Sequence, residues 1–170
     1  MIRRATKEDV PTILEIFNDN VINSTAIYMY KEQTLEQRIH WFKQKQNAGE
    51  PLVVFDVDGE VAGYATYGSF RAYPAFQYTV EHSVYVHKNH YKKGIASKLM
   101  HWLIEEANVN GVKTMVGCID KENTASIKIH EKLGFTYSGT IRNAGYKFGR
   151  WLDLVFYQLD LEGPENPLEY

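Results

Sequence analysis

Apolar residues recur at helical spacing near the start of the chain, where Ile13, Leu14, Ile16 and Phe17 mark one face. Thr6-Lys7-Glu8-Asp9 precedes them, a hydroxyl followed three residues later by an acid, which signals a helix start. Thr34-Leu35-Glu36-Gln37 repeats the signal; Leu35, Ile39 and Phe42 follow at helical spacing and Gly49 ends the run. Between the two helices, residues 23–30 show no period and read as a loop carrying Tyr28 and Tyr30. From Leu52 the pattern becomes that of strands. Runs 52–57 and 60–67 flank Asp58-Gly59, a pair suited to a tight hairpin. Arg71-Ala72-Tyr73-Pro74 is a loop, and 78–87 is the next strand. Alternation puts Val80, His82, Val84 and Val86 on one side of it, and Glu81, Ser83, Tyr85 and His87 on the other. Lys92-Lys93-Gly94 then turns into a helix carrying Ile95, Leu99, Leu103 and Ile104, which stops near Gly111. A strand over 112–119 follows. Asn123 caps a short helix and Gly134 fits its C-terminal end. Runs 135–138 and 151–159 read as closing strands, and the tail from Gly163 is expected to fray. Helices, antiparallel strands, then alternating strands and helices imply an α/β or α+β sandwich. No repeat or linker interrupts it, so a single domain over 1–162 with a tail over 163–170 is expected.

Composition narrows the classes. Among 170 residues, 44% are apolar and 24% charged, an ordinary globular balance. The net charge of -2 implies no general surface for polyanions, so any basic site is local and no nucleic-acid partner is expected. A single cysteine, Cys118, excludes an internal disulfide framework and a cysteine-rich zinc site. No apolar run approaches the roughly 20 residues that span a bilayer. Met1-Ile2-Arg3-Arg4 leads into a polar segment without the apolar core of a signal peptide, so a cytoplasmic protein without membrane contact is expected. Aromatic content of 14% suits a pocket or a subunit interface.

The most informative segment is 83–100. A valine-rich strand runs into Tyr91-Lys92-Lys93-Gly94-Ile95-Ala96-Ser97 and a helix begins. Amides at a helix N-terminus lack intrahelical partners and sit at the positive end of the dipole, so such a turn can hold a diphosphate. Gly94 and Ala96 are small enough for close approach, and Lys92 and Lys93 add charge. The chain has neither the Gly-x4-Gly-Lys-Ser/Thr loop nor Gly-x-Gly-x-x-Gly at this turn. Gly94 by itself is weak evidence, since a glycine at a strand-to-helix turn is more often a plain backbone requirement. The segment resembles motif A of the GNAT (Gcn5-related N-acetyltransferase) superfamily, Gln/Arg-x-x-Gly-x-Gly/Ala, with Tyr91 where Gln or Arg is usual. About thirty residues on, Asn123-x-x-Ser126 and Ile129-His130-Glu131-Lys132-Leu133-Gly134-Phe135 resemble motif B. Thr79-Val80-Glu81-His82-Ser83-Val84-Tyr85-Val86, Lys147-Phe148-Gly149-Arg150-Trp151-Leu152-Asp153-Leu154 and the segment 18–26 are similar to the phosphinothricin and methionine sulfoximine N-acetyltransferase branch. The likeness extends to about Leu161.

This resemblance implies a mixed, splayed sheet with helices on both faces, acetyl-CoA as co-substrate, no metal and a homodimer. It implies acetyl transfer to the α-amino group of a small amino-acid analogue, by direct attack in a ternary complex. The alternatives are another amine (a polyamine, an aminoglycoside, a protein N-terminus) or a non-catalytic coenzyme A sensor. Amide formation needs a neutral amine held near the carbonyl, a donor for the oxyanion and a proton for the thiolate. Glu81 is the candidate base, by itself equally a solvated strand carboxylate or a partner of Arg71. His130 is the candidate acid, by itself equally a packed histidine. The family pattern assigns coenzyme binding to Val84, Tyr85 and Val86, to Lys92, Lys93, Gly94, Ile95, Ala96 and Ser97, and to Asn123 and Ser126. It assigns the acceptor to Arg71, Ala72, Tyr73, Glu81, His82 and Ser83, with Tyr28, Tyr30 and Lys147 as weaker candidates. Cys118 lies in an apolar strand and reads as a small core residue. His82, His87 and His90 show no metal-ligand spacing. Trp151 and Phe156 read as core or interface.

Overall fold

A computed structural model describes all residues, 1–170. Seven strands and four helices form in the order β1 (Ile2–Arg4), α1 (Val10–Asn23), α2 (Leu35–Asn47), β2 (Leu52–Val57), β3 (Glu60–Ser69), β4 (Thr79–Val86), α3 (Ile95–Val109), β5 (Thr114–Asp120), α4 (Thr124–Lys132), β6 (Thr136–Lys147) and β7 (Arg150–Asp160). Two compact units share them, Met1–Thr66 with Ser83–Leu103, and Tyr67–His82 with Ile104–Tyr170. The unit boundary on β4 falls between His82 and Ser83.

In the first unit the strand order is β1-β2-β3-β4. The Thr34 hydroxyl accepts from the Gln37 amide at 3.2 Å and the Gln37 side chain accepts from the Thr34 amide at 2.9 Å, the reciprocal cap expected of that tetrad. Asp58 and Gly59 both take positive φ, 52° and 89°, as a two-residue turn between β2 and β3 requires. On one side of the sheet, Val10, Ile13 and Ile16 of α1 and Phe42 of α2 bury against Leu52, Val54, Val61 and Tyr64. Val61 and Tyr64 share that side because a bulge at Phe55/Asp56 shifts the alternation. On the other side, α3 comes close to β3 at Gly63. A Cβ there would sit 3.3 Å from Ile95 and from Leu99 and 2.9 Å from the Tyr85 carbonyl, so this glycine sets the helix-to-sheet spacing. Helices thus cover both faces of this unit.

The short strand β1 is absent from the sequence reading. Three residues with two arginines give no alternation to detect. Arg3 holds it through paired bonds to Asp9, at 2.8 and 2.9 Å, and one to Asp56 at 2.9 Å.

In the second unit the order is β4-β5-β7-β6. The β4–β5 pairing is parallel and β5–β7 and β7–β6 are antiparallel, so the sheet is mixed. The β4–β5 ladder has three registered pairs, Thr79↔Thr114 to Glu81↔Val116, and ends at Glu81. The β5–β7 ladder continues to Asp120. Strand β6 is far longer than the expected 135–138. Shifts at Tyr137/Gly139 and Ile141/Gly145 break its register, and Gly139, Asn143 and Gly145 hide it from a strand pattern. The tail carries no helix or strand and is largely exposed, with contacts to the rest of the second unit. The Tyr78 hydroxyl donates to the Leu168 carbonyl at 3.1 Å, and Gly163 lies against Val112.

Candidate active site

The first unit carries the turn into α3. Lys92 and Gly94 take positive φ, 62° and 73°, and Tyr91, Lys92, Lys93 and Gly94 are exposed. The first helical bond runs from the Lys98 amide to the Gly94 carbonyl at 3.2 Å, so the amides of Ile95, Ala96 and Ser97 precede the helical ladder. A Cβ at Gly94 would meet nothing within 4 Å, so the glycine serves its φ and leaves open space beside these amides. Backbone donors, a positive dipole end and two lysines fit a diphosphate. Val84, Tyr85 and Val86 are partly buried, and the Tyr85 ring packs on Tyr64 at 5.4 Å between centroids.

Arg38 in this unit was not singled out from the sequence. It is 4% exposed, with its guanidinium 4.0 Å from the Phe17 ring and 3.6 Å from the Trp41 ring. It donates to the Gln33 side chain at 3.0 Å, and its Nε has no partner. Burial lowers its pKa against the pull of the Tyr64 and Tyr85 hydroxyls. Arg38 and Trp41 are three apart on α2, and that spacing is the signal that could have found the stack.

The second unit carries the carboxylate and two histidines. Glu81 is half-buried on β4 and stands level with Val116 of β5. Its carboxylate accepts from the Cys118 thiol. Burial first, and this carboxylate second, push the thiol well above its usual range. Arg71 does not pair with Glu81. It is exposed, with its guanidinium 5.2 Å from the Tyr73 ring and 5.4 Å from Phe76. Ala72 and Tyr73 are exposed beside it. Lys147 is buried over the Phe148 ring, whereas Trp151 is 62% exposed and so is not core.

His82 points away from Glu81, as adjacent strand residues must. It is 8% exposed, and its Nε2 lies 2.8 Å from Nε2 of His130 on α4. The two rings stack with centroids 4.9 Å apart, and Phe135 borders both. Gly117 of β5 makes the room: a Cβ there would lie 2.9 Å from each imidazole. Glu81 with Cys118, and His82 with His130, thus occupy opposite sides of β4 and β5. The His82 ring turns toward His130 rather than onto the side of Glu81. Asn123 caps α4 by accepting from the Ser126 amide at 3.2 Å, and the Ser126 carbonyl accepts from His130 Nδ1 at 2.7 Å.

Burial, then the neighbouring His130, depress the His82 pKa to about 3, and burial also lowers that of His130. Both rings are therefore neutral at pH 7. A histidine buried neutral stabilises the fold fully above its unfolded pKa, about 6.5. As pH falls below that value the unfolded chain binds protons that the fold does not, and stability declines toward pH 3. The unfolding midpoint should fall between pH 7 and pH 5, and His82→Phe should flatten that slope. A slope unchanged by the substitution would contradict the depressed pKa.

The acetyltransferase (GNAT) domain model matches residues 2–156. The chain is 44% identical over 166 residues to the L-methionine sulfoximine/L-methionine sulfone acetyltransferase of Salmonella typhimurium, covering 98% of this chain and 97% of that protein. It superposes on the crystal structure of an N-acetyltransferase from Staphylococcus aureus Mu50 with a TM-score of 0.94 at 55% identity, covering 95% of this chain and 98% of that one. It also superposes on a GNAT superfamily phosphinothricin acetyltransferase from Sinorhizobium meliloti in complex with acetyl-CoA. That match has a TM-score of 0.94 at 32% identity and covers 98% of this chain and 91% of the other. This chain therefore belongs to the GNAT acetyltransferase family and is an acetyltransferase.

Proposed function

We propose that this enzyme transfers acetyl from acetyl-CoA to the α-amino group of a small amino-acid analogue of the methionine sulfoximine, methionine sulfone or phosphinothricin type. The observation that carries the acceptor class is the identity to the Salmonella enzyme along almost the whole of both chains. Acetyl-CoA supplies the activated acetyl thioester. The amides of Ile95, Ala96 and Ser97, with Lys92 and Lys93, hold its diphosphate. The main chain of Val84, Tyr85 and Val86 pairs with the pantetheine amides in the manner of an added strand and donates to the oxyanion. Asn123 uses its side-chain oxygen as a helix cap, which leaves its NH2 to donate to the pantetheine arm, with Ser126 beside it.

Glu81 takes the proton from the attacking amine, directly or through a water, and Tyr85 or a water supplies one to the departing thiolate, because both ring nitrogens of His130 are engaged, by Ser126 and His82, on the side of β4 and β5 opposite Glu81. The attack is direct, in a ternary complex. The high pKa of Cys118 supports this, because the thiolate is the nucleophilic form and both burial and Glu81 oppose it. Arg71, with Ala72, Tyr73 and Ser83, receives the acceptor's anionic groups, for which a guanidinium is suited. The exposed Tyr146, Phe148 and Trp151 at the β6–β7 hairpin support a homodimer. The enzyme acts in the cytoplasm on a small molecule, with neither nucleic acid nor membrane as partner.

An amine panel tests the proposal, with free coenzyme A as the readout. Methionine sulfoximine, methionine sulfone and phosphinothricin should release thiol, and spermidine and kanamycin should not. Arg71→Ala should raise the acceptor KM by about 10–100-fold, the loss of one charged hydrogen bond, and leave the acetyl-CoA KM unchanged. Release with the polycations alone would contradict the acceptor assignment, and no release with any amine would contradict catalysis.

A further inference from the structure

Two observations fix which way β5 faces beside Glu81. A Cβ at Gly117 would lie 2.9 Å from His82 and from His130, so position 117 faces the two histidines. Its strand neighbours Val116 and Cys118 therefore face the other side, that of Glu81. Glu81 is level with Val116 in the last pair of the parallel ladder, and Cys118 is two residues further along β5 on the same side, where β4 and β5 no longer pair. Strand β5 stays tied to β7 there, through Cys118↔Phe156. The half-buried thiol is thus carried on a strand held from its far edge, and it donates to the Glu81 carboxylate. Arg71 is engaged elsewhere, over Tyr73 and Phe76.

We propose that Cys118 is a positioning residue for Glu81, its thiol donating to one carboxylate oxygen and leaving the other for the acceptor amine. The proposal rests on the reading of Glu81 as general base. In the step it serves, the attacking nitrogen bonds to the acetyl carbon and passes one proton to the Glu81 oxygen. The Cys118 proton stays on sulfur throughout, because burial and the carboxylate both oppose its loss. Sulfur suits this task better than oxygen. A hydrogen bond to a carboxylate favours the charged form and so weakens it as a base. A thiol is a weak donor, so it orients the carboxylate at little cost to its basicity, whereas a hydroxyl or a cation would cost more.

Two measurements test this. The first reads the contact without any substrate. The chain has one cysteine, so its S–H stretch is a single infrared band. That band should lie at lower frequency in the wild type than in Glu81→Gln, whose neutral amide accepts more weakly than a carboxylate. Equal frequencies overturn the proposal. The second compares Cys118→Ala, Cys118→Ser and Glu81→Gln in coenzyme A release. Cys118→Ala should lower the plateau kcat by about 2–10-fold, the worth of one hydrogen bond, with the acetyl-CoA KM unchanged. It should also move the acid limb of the kcat/KM profile to higher pH. Cys118→Ser should recover most of the kcat and move that limb to lower pH, since a hydroxyl is the stronger donor. A cysteine that only packs would not move the limb in opposite directions. Wild-type profiles in both Cys118 variants beside a crippled Glu81→Gln overturn the positioning role alone. Full kcat in Glu81→Gln overturns the base reading, and with it the role of Cys118. If Cys118→Ala fails to fold, the serine variant and the infrared comparison still decide the matter.

Discussion

Glu81→Gln lowers kcat by about 10²–10⁴-fold, the usual contribution of a positioned general base, and leaves the acetyl-CoA KM near its wild-type value. The substitution keeps the shape of the side chain and removes its capacity to take a proton. The amine must lose one to become an amide, and Glu81 is the half-buried acid at the end of the β4–β5 ladder. A second readout checks the geometry independently of catalysis. The carboxylate helps to hold the Cys118 thiol protonated, so its removal should let a thiol reagent label Cys118 at lower pH. Full activity across the pH range would remove Glu81 from the mechanism. Unchanged labelling would contradict its contact with Cys118.

Ala96→Asp separates the two roles proposed for the start of α3, opening the helix and holding a diphosphate. A carboxylate in the first turn of a helix interacts favourably with the dipole, by about 0.3–1 kcal/mol, so the unfolding midpoint should hold or rise. The same charge would sit among the amides of Ile95, Ala96 and Ser97 and repel a diphosphate. The acetyl-CoA KM should rise by about 10–100-fold, equivalent to roughly 1.4–2.7 kcal/mol. Stability and cosubstrate affinity thus move in opposite directions, which a generally damaged protein would not show. An unchanged KM would mean that this helix end holds nothing.

Local chemistry made much of the fold legible. The cap of α2, the Asp58-Gly59 turn and the Asn123 cap each depend on residues within three positions of one another, and each forms as the pattern implies. The glycine turn into α3 was legible for the same reason. What failed to show was non-local or irregular. β1 exists because Arg3 reaches Asp56, 53 residues away. β6 is masked by glycines at its register shifts. Alternation correctly put His82 and Glu81 on opposite sides of β4, but it could not reveal the partner of His82. That partner is 48 residues distant, and the contact depends on a glycine in a third element, β5. The buried Arg38 followed the spacing of a surface position, and only its aromatic neighbours give it away.

The central claim is that peptide amides opening α3 grip the diphosphate of the nucleotide thioester. Backbone amide NMR during titration with acetyl-CoA tests it most directly, residue by residue. Ile95, Ala96 and Ser97 should show the largest downfield amide-proton shifts, and adenosine lacking phosphate should not reproduce them. Saturable binding with those three amides unmoved would contradict the account.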